Sequence, residues 1–114
     1  MIRVSDPEAT IRFFALPRLK EVRRLESEAG RFTLICLATP EDMNAPGERA
    51  NAEVELTYNW PKDGEEPEVY TGGRNFGHLA YRVANIYDTC QRIIDAGHIV
   101  HRPPRDGHMA FVKT

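Results

Sequence analysis

Apolar and polar positions along this 114-residue chain fall into short elements separated by turn residues. Residues 1–4, Met-Ile-Arg-Val, read as the tail of a strand. Asp6-Pro7-Glu8 starts a helix, with a capping acceptor, proline at the first helical position and an acid in the first turn. Ile11, Phe14 and Phe13 form its buried stripe, and Pro17 ends it. Residues 19–28 read as a strand with Leu19, Val22 and Leu25 inward, although the alternation is imperfect. Gly30 makes a turn, and the run Phe32-Thr33-Leu34-Ile35-Cys36-Leu37 predicts a strong strand. A polar loop over 40–51 precedes a strand over 52–60. A long loop rich in proline and glycine follows over 61–75. Residues 77–83 predict another strand. Asn85 then caps a helix carrying Ile86, Cys90, Ile93 and Ile94, which Gly97 closes. Residues 98–102 and 108–112 predict two further strands.

The second half of this order repeats the first. A shift of 79 positions lays Arg3-Val4 on Arg82-Val83, Asp6 on Asn85, Thr10 on Thr89, Ile11 on Cys90 and Phe14 on Ile93. A period this long marks a duplicated module rather than a solenoid. The fold class is therefore α+β. Module one spans 1–60, a linker spans 61–75 and module two spans 76–114. The order is β-α-β-β-β in the first module and β-α-β-β in the second. The second module has no counterpart of the strand over 52–60.

Alternation splits that strand into two faces. Ala52, Val54, Leu56 and Tyr58 share one, and Glu53, Glu55, Thr57 and Asn59 share the other. Over 77–83, Leu79, Tyr81 and Val83 share a face, and His78, Ala80 and Arg82 share the opposite one. A polar face of this kind commonly meets solvent. His98, His101 and His108 read as surface or loop residues, because the odd spacing of the first two puts them on opposite faces of a strand.

The size is that of one domain. A formal charge of -2 and an isoelectric point near 6.1 argue against a nucleic-acid partner or a membrane surface. No apolar run reaches membrane-spanning length. Cys36 and Cys90 lie far apart, with neither metal-binding nor redox spacing, and read as reduced core thiols of a cytoplasmic protein.

Several strings resemble one family. ELTYNW, followed downstream by RNFGHLAYRV, resembles the glyoxalase I (lactoylglutathione lyase) family of the vicinal-oxygen-chelate superfamily. IRVSDPEATIRFF resembles that family's opening strand and helix, GRFTLICLA a hairpin strand, and NIYDTCQRIIDAG the second helix. The resemblance implies paired β-α-β-β-β modules enclosing a divalent metal ion, zinc or nickel. It implies a glutathione-containing substrate, the hemithioacetal of methylglyoxal, converted to S-lactoylglutathione. Of the four metal ligands implied, Glu55 matches the fourth-strand ligand of module one and His78 the first-strand ligand of module two. Glu55 is also the catalytic carboxylate that this sequence retains. Arg3, Asn59 and Arg74 match positions that hold the glutathione moiety, and Arg102 replaces a family lysine. Guanidinium groups suit the two glutathione carboxylates. The resemblance implies that Phe32 and Leu34 line the pocket for the aldehyde-derived part; core packing is the alternative for both and the expected role of Leu34.

The repeat and the resemblance agree on where the remaining ligands belong. One falls two positions before Met1, and the other on a strand after Thr114, where the resemblance places the main base. The expectation is a gene product longer than these residues. A homodimer is expected, because open sheet edges call for a cover and the family shares its site between chains. Two other readings remain. One is another metal enzyme of the superfamily, an epimerase or dioxygenase, against which Asn59, Arg74 and ELTYNW argue. The other is a metal-free binding protein resembling the bleomycin-sequestering members.

Overall fold

The computed structural model describes residues 1–46, 48–72 and 77–113. The chain divides into two compact units, Met1–Gly77 and His78–Thr114.

In the first unit, β1 (Ile2–Arg3) leads into α1 (Pro7–Ala15). The strands β2 (Lys20–Ser27), β3 (Phe32–Ala38) and β4 (Val54–Asn59) follow. The four strands form one sheet in the order β1-β4-β3-β2. β2 and β3 form an antiparallel hairpin, β4 joins β3 antiparallel, and β1 runs parallel along β4. The 40–51 loop begins with a short 3-10 turn, Pro40–Asp42.

One face of this sheet is the core. Leu19, Ile35, Leu37 and Leu56 are each no more than 2% exposed, and burial of each contributes about 1.5–3 kcal/mol. Phe13 and Phe14 of α1 are buried, with their rings edge to face; Ile11 is only half-buried. Arg24 of β2 reaches α1 through Glu8 at 3.3 Å while gripping Glu21 at 2.8 Å. The hydrogen bond from Arg24 holds the Glu21 carboxyl below its ordinary value.

Strand β2 departs from the expected inward pattern. The ladder slips between Glu21 and Arg23, a bulge at Val22. A bulge puts two residues opposite one and reverses the alternation beyond it. Leu25 therefore leaves the core side and is 55% exposed.

The second unit holds α2 (Ile86–Asp95), β5 (Ile99–Arg102) and β6 (Phe111–Lys113), the strands pairing antiparallel. Thr89, Cys90 and Ile93 are the buried face of α2. Ile94, expected inward, is 51% exposed, since it follows Ile93 by one step of about 100° around the helix.

The repeat survives as hydrogen bonds. Asp6 Oδ1 accepts from Ala9 N at 2.9 Å, and Asn85 Oδ1 accepts from Tyr87 N and Asp88 N at 3.0 and 3.1 Å. Thr10 Oγ1 donates to Asp6 O, and Thr89 Oγ1 to Asn85 O, both at 2.9 Å. Leu19 N donates to Phe14 O, and His98 N to Ile93 O, closing the two helices alike. The residues before these closing amides, Arg18 and Gly97, both take positive φ, 76° and 86°. Gly97 does so without the penalty a Cβ carries.

The strand expected over 77–83 is not formed, and these residues lie outside any strand. In the first unit the equivalent strand is held by β4, with Ile2 opposite Leu56 and Arg3 opposite Thr57. Among the described residues no strand follows β6 to take the place of β4. Among the described residues the backbone of 77–83 has no ladder partner.

Two stability predictions follow from these contacts. Asn85→Ala removes the acceptor for two amides and should lower unfolding free energy by about 1 kcal/mol, read by urea denaturation followed by circular dichroism. Glu21 has a depressed folded value, so its stabilisation is complete above the ordinary 4.5 and is lost as pH falls through the lower folded value. Glu21→Gln should flatten the acid limb of stability against pH and leave the neutral limb's slope unchanged.

Candidate functional site

Ladder partners stand side by side on one face of a sheet. On the face opposite the core, Arg23, Cys36 and Glu55 form one row. Leu25, Leu34, Thr57 and Arg3 form the next, and Ser27, Phe32 and Asn59 the third. Four residues singled out from the sequence, Arg3, Phe32, Glu55 and Asn59, thus share this face. Leu34 joins them rather than the core. Its neighbour Ile35 is fully buried on the other side. Gly30 leaves room for the Phe32 ring, into which a Cβ would collide.

The charges on this face are partly committed. Arg23 Nη2 donates to Glu53 Oε2 at 2.8 Å and to Cys36 Sγ at 3.2 Å. The Arg23 hydrogen bond holds Glu53 below the usual carboxylate value, and burial pushes the Cys36 thiol up. Glu55 is half-buried and makes no hydrogen bond or ion pair among the described residues. Beside it, Thr57 Oγ1 is buried with no hydrogen-bond partner. A buried hydroxyl without a partner is costly unless a ligand satisfies it. Arg3 is exposed, and no described residue forms an ion pair with it.

Asn59 marks one end of the face. Its Nδ2 donates to Tyr70 Oη at 3.3 Å. With Trp60, Pro61, Lys62, Glu65, Glu66 and Glu68 it lines a cleft of about 410 Å³, a size in the range of small-molecule sites. Trp60 is anchored by its indole N–H, which donates to Thr33 Oγ1 at 2.8 Å.

The second unit brings two more of these residues together. His78 is exposed and meets the Phe111 ring edge to face, with centroids 6.5 Å apart. Arg102 lies over the same ring at 5.5 Å. Arg74 lies outside the described residues.

Carboxylate and imidazole are donors that zinc and nickel accept. Glu55 and His78, each in its own unit, are thus of donor types that suit a divalent ion, and the unsatisfied Thr57 hydroxyl beside Glu55 leaves a polar atom on that face available to a ligand. Among the described residues no group of three His, Cys, Asp or Glu converges, so they do not close a coordination shell.

Three residues of these surroundings had been given no role from the sequence: Arg23, Thr57 and Phe111. Arg23 could have been found from the repeat, since it precedes Arg102 by 79 positions. Phe111 could not. Its ladder partner is Arg102, as Cys36 is the partner of Arg23, yet Cys36 and Phe111 are 75 positions apart. The second hairpin is four residues shorter, and only the register reveals the correspondence.

A family model for the Glyoxalase/Bleomycin resistance protein/Dioxygenase superfamily matches residues 37–112. The lactoylglutathione lyase of Schizosaccharomyces pombe is 32% identical over 96% of this chain, which spans 37% of that protein's length. A probable lactoylglutathione lyase of Synechocystis sp. is 35% identical over 91% of this chain and 72% of its own. In structure, the trypanothione-dependent glyoxalase I of Leishmania major superposes with a TM-score of 0.78 and 25% identity, covering 98% of this chain and 73% of that one. No described helix is long and apolar enough to cross a membrane. From its sheet, its repeated capped helices and these likenesses along nearly its whole length, the chain belongs to the glyoxalase/bleomycin resistance protein/dioxygenase superfamily and, within it, to the lactoylglutathione lyase family.

Proposed function

We propose that the chain acts as a glyoxalase I, isomerising the hemithioacetal of methylglyoxal and glutathione to S-lactoylglutathione. The observation that carries this reading is the single sheet face on which Arg3, Phe32, Asn59 and an uncommitted Glu55 stand together. The names of the relatives supply the substrate class. An epimerase or dioxygenase of the superfamily would have less use for the guanidinium and amide flanking that carboxylate.

The reaction removes a proton from the hemithioacetal carbon and returns one to the neighbouring carbonyl carbon. When bound, a divalent ion, zinc or nickel, would supply Lewis-acid chemistry at the developing enediolate. Glu55 and His78 would hold it. The chain's own residues account for the rest. Glu55 is a ligand first and a proton carrier second, suited to the latter because no described neighbour binds its carboxylate. Arg23 is paired with Glu53, whereas Glu55, in the same row as Arg23 and within its field, makes no hydrogen bond or ion pair among the described residues. Arg3, Asn59, Arg74 and Arg102 hold the two glutathione carboxylates and orient the thioether end. Phe32 gives the aldehyde-derived part an apolar wall and excludes water from it. We place the protein in the cytoplasm as a homodimer, with Glu55 of one chain and His78 of its partner serving one ion.

Glu55→Gln and His78→Ala should each lower bound metal and activity together. Elemental analysis showing a full metal complement in both variants would refute the ligand assignment. Arg3→Ala should leave metal content unchanged and raise KM for the glutathione adduct about tenfold or more, since a charged hydrogen bond is worth about 1.5–3 kcal/mol. A KM at the parent value would remove Arg3 from the binding site.

A further inference from the structure

The second unit contains a contact that neither the helix repeat nor the metal-ligand pattern explains. The ladder between β5 and β6 runs Ile99 to Lys113, Val100 to Val112, then Arg102 to Phe111, leaving His101 as a bulge. Without that bulge His101 would face Phe111, and Arg102 would point to the other side of the hairpin. The bulge thus turns Arg102 onto the Phe111 ring. The other approach to this ring is made by His78. The first unit carries the same device: a bulge at Val22 puts Arg23 opposite Cys36, within 3.2 Å of its sulfur. In both units a bulge aims an arginine at one side chain of the neighbouring strand. In the second unit that side chain is an aromatic ring shared with an imidazole.

We propose that Phe111 is a positioning residue that ties the metal-binding imidazole of His78 to the substrate-binding guanidinium of Arg102. This rests on the glyoxalase I reading for the roles of His78 and Arg102. The physics is local. The face of an aromatic ring attracts a cation, and its edge and face prefer a perpendicular ring at 4.5–7 Å. His78 is exposed and lies outside any strand, so no ladder orients it. Arg102 is likewise exposed. A ring held by β6 therefore restricts two side chains that would otherwise sample many rotamers, and it reduces the ordering cost of binding an ion and an anion.

The test uses the full chain, stripped of metal and titrated with Co²⁺ followed by its visible absorption, together with steady-state kinetics on the hemithioacetal. Phe111→Leu should weaken Co²⁺ binding and raise KM, each about two- to fivefold, with a smaller change in kcat. Phe111→Tyr, which keeps the ring, should restore both. Addition of Arg102→Ala to Phe111→Leu should raise KM no further than Arg102→Ala alone, because the ring acts through the guanidinium. Should leucine disrupt the hairpin by circular dichroism, Phe111→Met fills the space without a ring and is judged by the same outcomes. Parent Co²⁺ affinity and parent KM in the ring-less variant, with His78→Ala and Arg102→Ala both impaired, would overturn the proposal and leave the glyoxalase I reading standing. Full Co²⁺ affinity in His78→Ala would remove His78 from the ligand set and overturn the proposal on that separate ground.

Discussion

The parity of β4 is the constraint on which the first unit depends. Leu56 sits between Ile2 of β1 and Ile35 of β3, and both Leu56 and Ile35 are fully buried. With that row committed to the core, Glu55, Thr57 and Asn59 have nowhere to go but the other face. The same ladder carries Arg3, Phe32 and Leu34 with them. A slip of one residue would put Glu55 into the core and Leu56 into the site. The cost of burying an uncompensated carboxylate makes that slip prohibitive. The polar face is therefore a consequence of the apolar one, and the free carboxylate is held in register by hydrophobic burial.

Duplication explains how a second unit of 37 residues reuses the same local devices. Asp6 and Asn85 cap helices whose threonines bond back identically, and both helices close through a left-handed residue. Each hairpin places an arginine by a bulge at the same repeat position. The units then diverge in what the arginine meets. Arg23 meets a buried thiol and Glu53, so its charge is consumed within the sheet. Arg102 meets a ring, which leaves its hydrogen-bond donors available to a ligand. Identical backbone logic thus yields one guanidinium bound within its sheet and one stacked on a ring.

Much of this was legible in the residues. Asp6-Pro7-Glu8 and Asn85 announced both helix starts, because capping is satisfied within a few residues and needs no tertiary partner. Glu55 and Asn59 could be put on one face because β4 is a regular strand with a period of two. Arg3 joined them through a resemblance and the repeat. Tertiary structure decided the remainder, since it depends on pairing between distant segments. Leu25 left the core because a bulge forms only against β3. Residues 77–83 alternate as a strand does, yet no described strand pairs with them. The surroundings of Thr57 and Phe111 were hidden for the same reason: an unsatisfied hydroxyl and a shared ring exist only once neighbouring strands fix which atoms meet. Local hydrogen bonding and periodicity are properties of the sequence, whereas register is a property of two strands at once.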